Sequence, residues 1–411
     1  MEQTLPIHSG SLQNVLHGEP WWLGTGLQVG PRGLQLGEIQ LQPLAAQHGT
    51  PLYVYSAALV HQRVQALQDA LRQTGAPFRM HYAMKANRFE PLLEMLAGDP
   101  RVGIDCCSPR EVQRALESGF GRERISFTAG MLSNRDLRTL AALGVHVNLD
   151  SASAMRRWAA CQPAQRRLGL RVDPEVRVGW GQDPKLAYGS SKFGFTAATI
   201  GGAVNLAAEL GLEIDELHMH PGWGLQMQDA QALGQAYAML AEMAKIIPSV
   251  RSLNVGGGLC WPQRDTDQPL DVACWAALLK RHLAPSGCEI VCEPGTYIMA
   301  ASGVLLAEVN TVEPRPSGLW LGIDAGHNVN GYVANYAVPL AIVPVGQPVA
   351  APEHLYHVAG NINEAVDIFA KSLPLPTMQE GDLLALYPTG AYGASMSSDH
   401  CMRGFAKEIL V

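Results

Sequence analysis

Eight short apolar runs, separated by helix-like stretches, constrain this chain more than any other feature. FRMHYAMK (78–85), VGID (102–105), ISFTAG (125–130), VHVNLD (145–150), RLGLRVD (167–173), ELHMH (216–220), SLNVGGG (252–258) and EIVCEPG (289–295) read as buried strands. Between them lie amphipathic stretches such as SPREVQRALESG (108–119) and NRDLRTLAALG (134–144). In the first, Ser108 and Glu111 have capping-box spacing and Pro109 takes the first helical position. Eight strands alternating with helices predict a (β/α)8 TIM-like barrel over residues 46–300. Within that span PLYVY (51–55) is a further apolar run, and Ser56 caps a helix running to about Gln73.

After residue 300 the helical periodicity stops. VLLAEVNTVE, LWLGID, AVPLAIVPVG, LYHVAG and DLLALYPTG read as strands between Pro/Gly turns, which predicts a C-terminal β-sandwich or β-barrel-like domain over 301–411. Residues 1–45, with alternating stretches such as LGEIQLQPL, are expected to lend it strands. The length of 411 residues fits this division, and no internal repeat competes with it.

Composition excludes several functions. A formal charge of −7 argues against a nucleic-acid binder, and no polybasic patch suggests a membrane surface. The opening MEQTLPIHSG lacks the basic and apolar regions of a signal peptide, so a cytoplasmic protein is expected. The eight cysteines have no CxxC or zinc spacing and read as reduced, buried small hydrophobes, so no metal is expected.

In such barrels chemistry gathers at the C-terminal strand ends. Here those ends carry Lys85, Asp105, Asp150, Arg171, His220, Gly256–Gly258 and Glu293. Each has a plain alternative: a snorkelling lysine, an aspartate N-cap, a hydrogen-bonded histidine, a glycine turn. Together they suit pyridoxal phosphate, which needs an amine, a carboxylate for its pyridine nitrogen and an anion cradle. The glycines, opening a loop that leads to a helix, supply bare N–H groups for the last of these.

The motifs YAMKAN (82–87), SKFGF (191–195), LHMHPG (217–222), NVGGGL (254–259), CEPG (292–295), DAG (324–326) and GAYGASMSSDH (390–400) resemble those of the fold-type III pyridoxal-phosphate decarboxylases. That group comprises the diaminopimelate, ornithine and arginine decarboxylases. The resemblance runs from about Pro51 to the C-terminus. It implies a homodimer with active sites at its interface, in which Lys85 is the Schiff-base lysine and His220 stacks on the ring. Gly256, Gly257, Gly258 and Tyr392 would bind phosphate, and Glu293 would partner the pyridine nitrogen. Glu364 would reach the substrate from the partner subunit, and Tyr336 matches a family tyrosine.

The departures bear on the substrate. Thr296 replaces the arginine of EPGR, and Tyr332 stands where diaminopimelate decarboxylases carry a second carboxylate-binding arginine. Asn363 replaces a cysteine credited with protonating the product, and Trp223 replaces a serine. Losing two bidentate arginines costs about 10²–10⁴ in affinity for a distal carboxylate. Arg88 and Arg403 are candidates to compensate. The expectation is therefore α-decarboxylation of an amino acid already joined to a carrier protein or a citrate unit, as in siderophore assembly. The alternatives are diaminopimelate decarboxylation in lysine biosynthesis and a non-catalytic regulatory homologue. A racemase is disfavoured, because racemases place arginine rather than glutamate at the pyridine nitrogen. Trp180 sits in a loop expected either to close over substrate or to pack on itself.

Overall fold

The protein is described from a computed structural model covering residues 20–180, 188–189, 191–336 and 338–411. The opening stretch MEQTLPIHSG and most of the loop after Trp180 lie outside the described residues. Within them the chain forms two compact units: one comprises Arg63–Cys260 with Gln268–Tyr297, and the other takes the remaining residues.

Three short strands come first: β1 (Leu27–Gly30), β2 (Gly33–Leu36) and β3 (Ile39–Gln40), an antiparallel sheet of their own. Then β4 (Leu52–Tyr55) leads into the helix Ala57–Arg72, whose first turn is capped by Ser56 Oγ accepting from the Leu59 N–H at 3.3 Å.

The barrel unit holds the eight expected strands. They are β5 (Phe78–Ala83), β6 (Val102–Cys106), β7 (Ile125–Thr128), β8 (His146–Leu149), β9 (Arg167–Val172), β10 (Glu213–Met219), β11 (Ser252–Asn254) and β12 (Glu289–Cys292). All pair in parallel, each with its sequence neighbour, and β12 pairs with β5 to close the ring. Closure leaves no free edge, and every strand end on one rim faces the same space. The helices obey their local signals. Asn134–Leu143 starts on a Ser133/Asp136 capping box and ends on Gly144 in the left-handed region. For Pro109–Glu117 the box is altered: Ser108 caps the Glu111 N–H, but Glu111 accepts from Cys107 N–H at 2.6 Å.

The other unit contains β13 (Gly303–Arg315), β14 (Gly318–Ile323), β15 (Ala341–Pro344), β16 (His354–Ala359), β17 (Ile368–Leu375), β18 (Leu383–Tyr387) and β19 (Lys407–Leu410). The sheet order is β15-β18-β13-β14-β16-β17, and β4 joins β13 and β19. PLYVY, placed by sequence position in the barrel segment, thus has its hydrogen-bonded neighbours in this sheet, because all four strand residues are buried and their backbone groups pair with 303–306 and 407–410. Leu27, Leu34, Leu36 and Leu41 pack in one apolar cluster with Val54, Val304 and Ala385. One correction concerns helices: they do not stop at 300. Gly331–Tyr336 is helical, too short to show a period in sequence.

Candidate active site

The rim site begins where β5 and β12 end side by side. Ala83 N–H donates to Pro294 O at 3.2 Å, and a side chain at Gly295 would meet Ala86 Cβ at 2.9 Å. The turn bearing Glu293 is therefore pressed against the turn bearing Lys85. Lys85 sits on a single 3-10 turn, Met84–Ala86, between two buried residues. Its Nζ lies 3.7 Å from Asp105 Oδ2 on β6 and 3.9 Å from Cys107 Sγ. Its side chain is 40% exposed, whereas that of Asp105 is 1% exposed.

Both Asp105 oxygens are buried and accept no hydrogen bond among the described residues. Burial, with the charge of Glu293 added, pushes this carboxyl well above its usual range, while Lys85 pulls the other way. Burial also pushes the Cys107 thiol up to about 12, so it stays protonated beside the lysine. Glu293 has the opposite fate. Its burial opposes ionisation, but the charge and hydrogen bond of His218, the charge of Lys85 and the hydrogen bond of Asn254 outweigh it, and the carboxyl lies well below its usual range. Glu293 Oε2 meets His218 Nε2 at 3.0 Å, and Oε1 accepts from Asn254 Nδ2 at 2.7 Å.

His220 ends β10 beside the glycines. Its Nδ1 accepts from the Gly257 N–H at 3.2 Å, and its ring meets that of Tyr188 edge-on with centroids 4.5 Å apart. Burial, then the charges of Lys85 and Arg171, lower its pKa well below 6.5, so the ring is neutral. Arg171 in turn lies over Phe193 of SKFGF, 4.0 Å from the ring centre. Gly256 and Gly258 have positive φ (65° and 120°), and a Cβ on either would lie within 3.0 Å of backbone carbonyl oxygens. The cradle is a loop rather than a helix start: the next helix, Val272–His282, begins well beyond it. The glycines thus open a loop, and the helix it leads to lies well downstream.

Trp223 and Trp180 form an edge-on pair, centroids 5.1 Å apart, joined by a hydrogen bond from Trp180 N–H to Trp223 O at 3.0 Å. Trp180 packs over Gly224, in the loop after β10 rather than on its own loop. Thr296 is half-buried at the start of the short helix Thr296–Met299.

The remaining expected residues belong to the β-rich unit. Tyr332 is buried in the helix Gly331–Tyr336, its ring 5.4 Å from that of Tyr336 and 5.2 Å from that of Tyr392. Tyr392 holds a φ of 64°, a left-handed conformation uncommon for an aromatic residue. Asn363 and Glu364 are exposed, and Glu364 Oε1 pairs with His400 Nε2 at 2.9 Å. Arg88, which lies in the barrel unit, and Arg403 are both exposed.

Sequence reasoning did not single out His218, Asn254, Glu216 or His400. The signal for the first three was available: polar side chains inside apolar strands, which fold only if satisfied.

These residues fit pyridoxal phosphate. An accessible amine stands beside a carboxyl that accepts no hydrogen bond among the described residues. A buried carboxylate retains lone pairs beyond the two that His218 and Asn254 use. A glycine turn admits no side chain; its N–H groups are not all bare as the sequence suggested, since Gly256 N–H donates to Asn254 Oδ1 and Gly257 N–H to His220 Nδ1, which leaves Gly258 to offer its N–H to an anion. Among the described residues no group of side chains could hold a metal ion, and no helix is long and apolar enough to cross a membrane. All eight cysteines are free.

Comparison with known proteins gives the same reading. The pyridoxal binding domain of the pyridoxal-dependent decarboxylases matches residues 57–300. The chain is 31% identical to a diaminopimelate decarboxylase of Methanothermobacter thermautotrophicus, over 94% of this chain and 92% of that protein. It is 32% identical to one from Pseudomonas aeruginosa, over 91% and 90%. Among solved structures, diaminopimelate decarboxylase from Helicobacter pylori complexed with L-lysine superposes with a TM-score of 0.81 at 26% identity, covering 90% of this chain and 93% of that one. The enzyme from M. jannaschii in complex with L-lysine shares the fold, with a TM-score of 0.84 at 23% identity over 94% and 92%. The barrel with its closed ring, the β-rich unit and the rim chemistry thus have one common explanation: the chain belongs to the fold-type III pyridoxal-dependent decarboxylases and is an enzyme that uses pyridoxal phosphate.

Proposed function

We propose that the chain removes the α-carboxylate of free diaminopimelate. The observation that carries this reading is the rim arrangement of Lys85, Asp105 and the His218-held Glu293, in a chain that matches diaminopimelate decarboxylases over nine-tenths of its length. Pyridoxal phosphate, when bound, supplies an electron sink for the pair left behind as carbon dioxide departs. The chain's own residues do the rest. Lys85 binds the cofactor through its amine. Glu293 holds the proton at the pyridine nitrogen, and its ionised state suits that task. The resemblance assigns Gly256, Gly257, Gly258, Thr296 and Tyr392 to the phosphate and His220, a neutral imidazole, to one face of the ring.

Asn363 has no acidic proton to give, and His220 is neutral. We assign the return of a proton to the product to Lys85 Nζ, the accessible amine at the rim. Glu364, exposed and paired with His400, is assigned to the substrate site of a partner subunit in a homodimer, with Tyr332 and Tyr336 lining the same substrate region. Mixing Lys85→Ala and Glu364→Ala subunits tests the shared site. Re-paired dimers should regain about a quarter of wild-type activity, and no recovery would place both residues in one subunit's site.

A second reading has its own observation. Tyr332, where the resemblance places an arginine, is 6% exposed and packed between Tyr336 and Tyr392. Such an aromatic wall suits a substrate that lacks diaminopimelate's second amino-acid carboxylate at its far end, for example an amino acid whose side chain is joined to citrate or to a carrier. The deciding measurement is carbon dioxide release from free meso-diaminopimelate by the cofactor-loaded protein. Rapid release supports the first reading. No release, with turnover of a citrate-linked diamino acid, supports the second.

A further inference from the structure

Three hydrogen bonds close a ring at the junction of β11 and β12. Asn254 Oδ1 accepts from the Gly256 N–H at 2.9 Å. The Gly256 carbonyl accepts from the Glu293 N–H at 2.8 Å. Glu293 Oε1 accepts from Asn254 Nδ2 at 2.7 Å. One side chain, with 0% exposure, therefore ties the first glycine of the phosphate cradle to the carboxylate assigned to the pyridine nitrogen.

An asparagine makes such a tie only in one orientation. Flipped about its last torsion, it would set its oxygen against the Glu293 carboxylate and its NH₂ against the Gly256 N–H. Glu216 on β10 removes that choice. Its Oε1 accepts the second Asn254 Nδ2 hydrogen at 3.2 Å, and its Oε2 accepts from Ser252 Oγ at 2.9 Å. Glu216 is itself buried. A second carboxylate, deep in the barrel and distant in sequence, so fixes the amide that faces the first. His218 completes the arrangement from the other side of Glu293.

We propose that Asn254 is a positioning residue that holds the two ends of the cofactor site in register, and that Glu216 locks it in the working orientation. The inference rests on the assignment of Glu293 to the pyridine nitrogen and of Gly256–Gly258 to the phosphate. It goes further in making those two contacts dependent on each other. A cofactor held at both ends tilts neither way, and the geometry of its ring is fixed before substrate arrives.

The test uses the full-length protein and two probes, pyridoxal phosphate and pyridoxal, titrated by absorbance. Two quantities are read: the pH dependence of the bound cofactor's spectrum, and the ratio of the dissociation constant of pyridoxal to that of pyridoxal phosphate, which measures the grip on the phosphate. Melting temperature is followed in parallel. Glu293→Gln should alter the spectrum and leave the ratio near wild type. Asn254→Ala should alter the spectrum and also lower the ratio, by about tenfold. Glu216→Ala should move both readouts in the same direction. Glu216→Gln keeps an acceptor for Asn254 and a donor for Ser252, and should restore both.

Asn254→Ala and Glu216→Ala proteins that melt earlier but keep wild-type spectrum and ratio would overturn the proposal, leaving these residues a purely structural role. If Asn254→Ala does not fold, the contrast between Glu216→Ala and Glu216→Gln decides alone: equal spectra and ratios in the two would overturn it. An unchanged spectrum in Glu293→Gln would instead remove the pyridine-nitrogen assignment, and the inference with it.

Discussion

The barrel unit and the β-rich unit hold their site residues in different ways. In the barrel, Glu293 is buried and held by two hydrogen bonds, Asp105 is buried beside Lys85, and His220 is tied to Gly257. In the β-rich unit Asn363, Glu364 and His400 are exposed, and only the Tyr332 cluster is packed. Buried charge is costly unless its partners are fixed, so the barrel residues cannot change singly without loss. Exposed residues carry no such burden. On the proposed function, the contrast separates the buried barrel residues assigned to the cofactor's amine and pyridine contacts from the exposed residues assigned to the substrate. The departures from the family's motifs do not follow that division: Tyr332 and Asn363 lie in the β-rich unit, but Thr296 and Trp223 lie in the barrel unit, where Lys85 and Glu293 stand as expected.

The largest expected effect comes from the barrel. Lys85→Ala should lose the cofactor's protein-bound absorbance and at least about 10³-fold in turnover. A variant that retained the wild-type spectrum would break the comparison at its base. Glu293→Gln should bind cofactor yet lose about 10²–10³-fold in kcat, measured at saturating substrate.

His81, deep in the same barrel, sharpens the contrast through stability. Burial, then Arg79, lowers its pKa from 6.5 to about 4, with Glu216 and Glu293 opposing. The folded pKa lies below the unfolded one. Its neutral form is thus favoured by the fold, and the stability it permits is complete above pH 6.5. As pH falls from 6.5 towards about 4 the unfolded chain takes up a proton that the folded chain refuses. Denaturant unfolding should therefore weaken by about 1.4 kcal/mol per pH unit in that window, a total of about 3 kcal/mol. His81→Leu should remove this slope, and an unchanged slope would assign the acid sensitivity to other groups.

The smallest effect is expected in the β-rich unit. Asn363→Cys should leave both turnover and product stereochemistry, read by deuterium incorporation, within about twofold of wild type. A large change would show that position 363 manages the proton after all.

Much of this was legible in the sequence, for physical reasons. The eight barrel strands are buried on both faces and so appear as unbroken apolar runs. Lys85, His220, Glu293 and the glycines could be found because they end those runs. Pairing was less visible. Nothing in PLYVY says that its neighbours lie at 303–306 and 407–410, and β17 and β19 went unread because few of their residues are fully buried. The helix Gly331–Tyr336 is too short to show a period. Asn254 and Glu216 could be seen only as anomalies, since a polar residue within a strand does not announce a partner 38 positions away.

The closing pair of strands has a consequence in time. Arg79 on β5 meets Glu289 on β12 at 2.8 Å across 210 residues of chain, and Lys85 and Glu293 lie just beyond the same two strands. During synthesis the lysine leaves the ribosome long before its counterpart exists. Until β12 is made, the ring stays open, with the edges of β5 and its last-formed neighbour exposed, and non-local closure of this kind is slow. The barrel part of the cofactor site is therefore completed only once the chain has been made as far as Glu293, with strands β13–β19 still to follow. Pyridoxal phosphate bound there reports that the barrel has closed.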